Sequence, residues 1–233
     1  MVLRYTAAVL LAAALAGCGH EPMPTPAQIE ALAMNATQRG DPAAEQRLQR
    51  LAAQGAPVAQ RELGILYLTR PAARADAQRL LLQATRAGDA QAAFHLGELY
   101  RTPAAGAVAD PAAAWQWYRQ AAEGGQARAA LQLGLMAKNG NGVPRDATVA
   151  ARWLQLAADL GNAHAMFLLS YAYREGEGVT RDPARAAMLL EEAAEHEYPP
   201  ALQELAMTTQ DPTRAGHLMK EATEHRRNNW NRF

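Results

Sequence analysis

Residues 125–161 read GQARAALQLGLMAKNGNGVPRDATVAARWLQLAADLG. The first part, up to Met136, places small and apolar residues at helical spacing. The Asn-Gly-Asn-Gly cluster that begins at Asn139 is a turn signal. A second helical pattern starts at Asp146, and Gly161 ends it. The stretch therefore predicts two helices joined by a turn and closed by a glycine.

This two-helix pattern recurs along the chain. The Leu133-Gly134 pair has counterparts on both sides, at steps of 33, 37, 36 and 36 residues. Alanine stands four residues before the repeat leucine in every copy. Glycine stands eight residues before it, except in the last copy, which has Glu197. The repeat leucines are Leu63, Leu96, Leu133, Leu169 and Leu205.

The second helices repeat as well. Each has an aspartate near its start, which predicts a helix cap, and then a bulky pair that should fill the gap towards the next unit. The aspartates are Asp76, Asp110, Asp146, Asp182 and Asp211. The bulky pairs are Leu80-Leu81, Trp117-Tyr118, Trp153-Leu154, Leu189-Leu190 and Leu218-Met219.

A period of this length with two helices per unit predicts an all-α fold, an α-solenoid of antiparallel helix pairs. The predicted repeats span 55–87, 88–124, 125–160 and 161–196 within a solenoid of residues 27–225. Degenerate copies are predicted at 27–54 and 197–225, with a tail at 226–233. Small residues at fixed positions would let the two helices of a unit approach closely.

The pattern G-x-x-x-A-x-x-x-L-G-x-x-Y, then G-x-G-V-x-x-D, then W-Y/L-x-x-A-A, resembles the Sel1-like repeat family, a relative of the tetratricopeptide repeat. The fullest matches are residues 125–160 and 161–196, with turns Gly140-Asn-Gly142-Val143 and Gly176-Glu-Gly178-Val179. Residues 103–107 disturb the turn of one copy, and residues 197–225 lack its glycines. The resemblance implies a right-handed superhelix that serves as a protein-binding platform.

The N-terminus resembles a bacterial lipoprotein signal. Residues 1–17 contain one basic residue, Arg4, and an apolar run too short to span a bilayer. Leu15-Ala16-Gly17-Cys18 matches the lipobox, which implies cleavage before Cys18 and lipidation of that residue. Gly19 in place of aspartate implies the periplasmic face of the outer membrane, with a Pro-rich tether over 18–26. The alternative is an ordinary signal peptide with a chance cysteine.

Composition argues against several function classes. Lys+Arg and Asp+Glu each total 23, so no overall field favours nucleic acid. Cys18 and Ser170 are the only cysteine and serine, and no histidines fall at metal-ligand spacing. The carboxylate pairs Glu175/Glu177 and Glu191-Glu192 read as solvated charge. We therefore expect no catalytic residue, no metal and no cofactor.

Partner contacts are expected where the copies differ, on the first helices that would line the inner curve, and at aromatic positions outside the repeat core. The candidates are Arg61, Phe94, His95, Gln132, Phe167, Trp115 and Tyr171. Among these, Phe94, Phe167, Trp115 and Tyr171 are expected to be exposed. The tail, with Trp230 and Phe233, is either a frayed terminus or a partner-binding arm.

Together these features predict a lipid-anchored periplasmic adaptor that binds a protein and has no catalytic activity. The main alternative, implied by the family resemblance, is an immunity protein that neutralises a lipase or other toxin delivered by type VI secretion. An envelope hydrolase and a regulator of a sensor kinase are further alternatives.

Overall fold

In a computed structural model of the protein, residues 23–102 and 108–228 are described. The predicted signal peptide, Cys18, Trp230 and Phe233 lie outside these residues. The described part of the chain holds twelve α-helices, one short 3-10 helix and no strand. The helices are α1 Pro26–Gln38, α2 Pro42–Ala53, α3 Pro57–Leu68, α4 Arg74–Arg86, α5 Ala90–Arg101, α6 Pro111–Glu123, α7 Ala127–Asn139, α8 Ala147–Asp159, α9 Ala163–Glu175, α10 Pro183–Glu195, α11 Pro199–Thr208 and α12 Pro212–Asn228.

The helices pack as six consecutive pairs, and each pair packs against the next. The odd-numbered helices are the first helices of the units and the even-numbered ones the second helices. First helices of neighbouring units also touch, α1 against α3 and α3 against α5. The all-α solenoid of helix pairs is thereby confirmed. Helix α12 continues through Asn228, three residues beyond the predicted end of the solenoid at residue 225.

Aspartate caps begin most of the second helices, as the repeat predicts. The side chain of Asp146 accepts hydrogen bonds from the backbone N–H groups of Thr148 and Val149, and Asp110 and Asp182 cap α6 and α10 in the same way. The prediction is wrong for Asp76. A 3-10 helix over Pro71–Ala73 precedes α4, and α4 begins at Arg74. Asp76 therefore lies inside the first turn of α4 instead of capping it.

The small residue after each repeat leucine is required by the close approach of the paired helices. A Cβ atom on Gly97 would lie 2.5 Å from the Tyr118 ring, and one on Gly134 would lie 2.8 Å from Cγ of Leu154. Ser170 occupies the same place in α9, where its hydroxyl donates to the Phe167 carbonyl oxygen at 2.7 Å. Ser170 is therefore accounted for by packing and a local hydrogen bond.

Contacts between units involve the turns and the bulky pairs. A Cβ atom on Gly142 would lie 2.6 Å from the carbonyl carbon of Pro111, so this turn rests on the start of α6 in the preceding unit. Trp153 meets Trp115 edge to face, with ring centroids 6.3 Å apart. Trp153 therefore packs towards the preceding unit, whereas the sequence analysis expected the bulky pair to reach the next one.

One backbone position explains the glycine that stands eight residues before each repeat leucine. Gly161 has φ +83°, in the left-handed region, and Glu197 at the equivalent place in the last unit has φ +60°. Glu197 is the only residue other than glycine with positive φ in the described part of the chain. A left-handed backbone costs a residue with a side chain roughly 1–2 kcal/mol.

Replacing Glu197 by glycine should therefore stabilise the protein, by about 0.5–1 kcal/mol after the greater entropy of glycine in the unfolded chain is deducted. The matched variant is Gly161→Ala, whose Cβ would meet nothing within 4 Å, so its expected loss of about 1 kcal/mol reports backbone strain alone. Chemical denaturation measures both. A lower free energy of unfolding for Glu197→Gly would contradict the repeat register.

Candidate functional site

Six of the seven predicted contact residues fall in one row on the first helices. Arg61, Phe94 and Phe167 stand two residues before their repeat leucines, His95 and Gln132 one before, and Tyr171 two after. We call these positions, together with the one five residues before the leucine, the first-helix stripe. The seventh candidate, Trp115, lies on the second helix α6 against Trp153 and is not brought to the stripe.

Arg61 is buried at the N-terminal end of the stripe, with 6% of its surface exposed. Its guanidinium donates to Glu30 on α1 at 2.7 Å, to Glu62 at 2.8 Å and to Asp89 before α5 at 3.0 Å. Burying a charged group is costly unless it is paired and hydrogen-bonded. Arg61 therefore ties three consecutive first helices together, and its hydrogen-bonding groups are directed at this protein's own carboxylates.

Phe94 is also buried, with 4% of its surface exposed, so the expected exposure of this ring is wrong. Its ring packs against Tyr118 from α6, with centroids 5.8 Å apart, and against His95 at 5.6 Å. The guanidinium of Arg128 lies over the Phe94 ring, 4.9 Å from its centroid. The Phe94 ring thus makes a cation–π contact with the Arg128 guanidinium.

Beside Phe94, the side chains of Tyr118, Glu98 and Arg101 form a hydrogen-bonded network. The Tyr118 hydroxyl donates to Glu98 at 2.5 Å, and Arg101 donates to Glu98 at 2.6 Å. Burial raises the pKa of Glu98, but the hydrogen bonds from Arg101 and Tyr118 outweigh it and hold that pKa below its usual range. Glu98 therefore stays ionised and fully engaged within the protein.

His95 is held neutral by its surroundings. Burial lowers its pKa to about 4, and the positive charge of Arg128 acts in the same direction. The pKa of His164 is also lowered by burial. Both imidazoles are therefore uncharged near neutral pH and present a ring face together with one donor and one acceptor nitrogen.

The C-terminal part of the stripe is aromatic. Phe167 contacts Tyr171 and Tyr198, with ring centroids 5.0 and 5.4 Å away, and both Phe167 and Tyr171 are half-buried. His164 stacks on Tyr198 at 5.3 Å. Arg174 lies over the Tyr171 ring and donates to Glu204 on α11 at 2.6 Å, and the Tyr171 hydroxyl donates to the same carboxylate.

A groove of about 420 Å³ separates these two parts of the stripe, between α7 and the start of α9. Gln132 lies in its wall, and among the described residues no hydrogen-bond partner is found for its side-chain amide. The groove is within the size range of ligand pockets, about 300–1,000 Å³. Its lining consists of Arg128, Leu131, Gln132, Leu135, Gly161, Asn162, Ala163, His164 and His196. We call it the α7–α9 groove.

The residues that the sequence analysis missed are Arg128, His164 and Tyr198. Arg128 and His164 stand five residues before their repeat leucines, where the other copies have Val58, Gln91 and Pro200. That difference between copies was a usable signal. Tyr198 follows the left-handed Glu197 at the start of α11, and its stacking on α9 required the tertiary structure.

Within residues 23–102 and 108–228, no group of three or more His, Cys, Asp and Glu side chains is placed to hold a metal ion. The helices in the same residues are all too short or too polar to cross a membrane. Glu175 and Glu191 are solvent-exposed. The first-helix stripe presents aromatic rings, amides and guanidinium groups, which are groups typical of protein-binding surfaces.

Comparison with known families identifies the repeat. A family model described as Sel1 repeat matches residues 57–89, 90–126, 127–162 and 163–198. Each match begins two residues after the repeat boundary that the sequence analysis set. The helix pairs α1–α2 and α11–α12 flank the matched region.

Solved structures share the fold. A Sel1 repeat protein from Oxalobacter formigenes is 27% identical, with a TM-score of 0.73 over 86% of this chain and 88% of its own. A protective antigen of uropathogenic Escherichia coli, described as displaying an SLR fold, is 25% identical with a TM-score of 0.72. The match covers 86% of this chain but only 46% of that antigen.

An immunity protein from Pseudomonas aeruginosa is 18% identical, with a TM-score of 0.53 over 88% of this chain and 82% of its own. At that identity the likeness concerns the fold alone. No curated protein matches the chain in sequence.

The low pKa of His95 predicts acid sensitivity. The pKa of His95 is about 4 in the folded state and about 6.5 in the unfolded chain. Below pH 6.5 the unfolded chain therefore binds more protons, and the free energy of unfolding falls as the pH is lowered from about 6.5 to 4. One such group contributes a slope of at most about 1.4 kcal/mol per pH unit. His95→Gln should flatten the dependence when urea denaturation is measured across this range. An unchanged slope would contradict the assignment.

Proposed function

Because the chain belongs to the Sel1 repeat family, we propose that it is a non-catalytic adaptor that binds a protein partner along its first-helix stripe. The observation that carries this proposal is the α7–α9 groove, with the exposed Arg128 on the buried Phe94 ring at one side and the half-buried rings of Phe167 and Tyr171 at the other. Aromatic residues and arginine are enriched in protein interfaces and dominate their binding energy.

The stripe is separate from the residues that build the repeat. The repeat leucines, the alanines four residues before them and the small residues directly after them pack the helices of each unit, and they are buried in every central copy. The stripe positions differ from copy to copy: two residues before the leucine stand Arg61, Phe94, Leu131, Phe167 and Gln203. The fold does not require one residue type there, so the members of the stripe that stay exposed or half-buried are available to recognise a partner. A solenoid presents such positions as an extended surface.

Membrane attachment through Cys18 is the second part of the proposal. The lipobox residues Leu15 to Cys18 support it, and the acyl chains added to such a cysteine meet the need for more than one lipid for stable anchoring. Residues 19–25 would then separate the lipid from α1, which begins at Pro26. We propose that the protein faces the periplasm from the outer membrane.

The fold that the chain shares with a Pseudomonas aeruginosa immunity protein motivates a second candidate function. In this version the partner is a secreted effector, and binding to the stripe neutralises it. The adaptor and immunity versions use the same surface and differ in the identity of the partner. Survival of cells that express a captured effector, with and without this protein, separates the two.

Photocrosslinking tests the binding surface. We expect p-benzoylphenylalanine in place of Gln132 to crosslink a discrete protein in intact cells, because Gln132 lies in the groove wall. The matched control is the same substitution at Gln116, an exposed glutamine on the second helix α6. Equal crosslinking from both positions, or none from either, would overturn the proposed surface.

Cys18→Ser tests the anchor. The wild type should incorporate labelled palmitate and sediment with the outer membrane, whereas the variant should incorporate none and appear in the soluble fraction, because serine cannot form the thioether. Persistent labelling or persistent membrane association of Cys18→Ser would contradict lipidation at this residue.

A further inference from the structure

The arginines of the first helices differ in whether they are neutralised. Helices α3, α5, α7 and α9 carry one arginine each. Arg61 pairs with Glu30 and Asp89, Arg101 with Glu98 at 2.6 Å, and Arg174 with Glu204 at 2.6 Å. Within the described part of the chain, Arg128 has no carboxylate oxygen within 4.0 Å, and its guanidinium lies over the Phe94 ring, 4.9 Å from the centroid.

The contact with Phe94 also orients Arg128. A guanidinium that lies over an aromatic ring uses its flat face there and leaves its N–H edges free. Those edges form the fork that binds a carboxylate through two parallel hydrogen bonds. Glu98 is near enough for Arg128 to lower its pKa, but its own oxygens are engaged by Arg101 and Tyr118. Arg128 therefore has a free donor edge at the mouth of the α7–α9 groove.

The groove itself contains no acidic residue. Its lining combines donors from Arg128 and Gln132 with the apolar Leu131 and Leu135. A second groove, between α10 and α12, differs in charge, because its lining has one arginine, Arg214, and four glutamates, Glu191, Glu195, Glu197 and Glu221. Only the α7–α9 groove of this pair has the charge to complement a carboxylate.

The apolar wall adds a second requirement. Leu131 is buried beneath the groove, Leu135 packs on the same core, and His164 lines the far side, where its ring stacks on the buried Tyr198. A ligand that presented a carboxylate alone would leave this surface in contact with water. A ligand with an apolar side chain next to its carboxylate would cover it.

We propose that the α7–α9 groove binds an acidic, extended peptide segment of the partner, with a Glu or Asp carboxylate on Arg128 and a neighbouring apolar side chain against Leu135 and the His164 ring. This inference rests on the proposed adaptor function and adds the chemistry of the segment that is recognised. Arg128 and Gln132 are binding residues in this assignment, and Phe94 is the residue that positions Arg128.

The test uses two fluorescent peptides and the full-length protein in detergent. The probe is acetyl-Leu-Glu-Leu-Glu-Leu-amide with a terminal fluorophore, and its partner has glutamine in place of both glutamates. Fluorescence anisotropy should show that the glutamate peptide binds about tenfold more tightly at low salt. Added salt should reduce that preference.

Variants locate the effect. Arg128→Gln should abolish the preference for the glutamate peptide, and Gln132→Glu should weaken it while leaving Arg128 in place. Arg152→Gln is the matched control, because Arg152 is an exposed arginine on the second helix α8 that pairs with no carboxylate of residues 23–102 and 108–228, and it should keep the full preference. Thermal denaturation shows whether each variant is folded.

Three outcomes overturn the inference: equal affinity of the two peptides, no binding of either, or a preference that survives Arg128→Gln. The adaptor function is judged separately by crosslinking from Gln132, which does not depend on these peptides. A crosslinked partner together with equal peptide affinities would retain the adaptor and remove the acidic segment.

Discussion

The close contact between the two helices of a unit is the constraint on which the rest of the structure depends. At Gly97 and Gly134 the first helix lies so near to Tyr118 and Leu154 of the second helix that a Cβ atom would overlap them. The bulky side chain of one helix occupies the space that the missing side chain of the other leaves. This contact sets the distance within each pair, and therefore which residues remain outside it to form a surface.

Stacking of the units then decides the polar interactions. The turn at Gly142 rests on Pro111, and Trp153 meets Trp115, so each unit is held by its predecessor. At the N-terminal end Arg61 adds a charged tie to Glu30 and Asp89, residues of the units before and after it. Such nearest-neighbour contacts are the main source of stability in repeat proteins.

The proposed binding surface consists of residues that neither the contact within a helix pair nor the stacking of units requires. On the first helices Arg61 and Arg174 are neutralised by local carboxylates, whereas Arg128 between them lies over a ring and faces a groove without acidic lining residues. The same solenoid thus uses arginine in two ways: to connect its units and to present a donor edge. The proposed adaptor needs only the second use.

The sequence by itself determined the repeat. The period, the capping aspartates and the small residue after each leucine are local requirements of helix pairs, and even the left-handed backbone at Glu197 follows from its place among the glycines. The position of Asp76 differs from the prediction because a short 3-10 helix over Pro71–Ala73 precedes α4. Which of the candidate contact residues are accessible to a partner depends on the tertiary structure. Arg61 is engaged and Phe94 is covered because their neighbours, Glu30, Asp89 and Tyr118, come from other helices. The repeat register specifies where each helix lies, but it does not specify which charged side chains of the neighbouring units lie beside that helix.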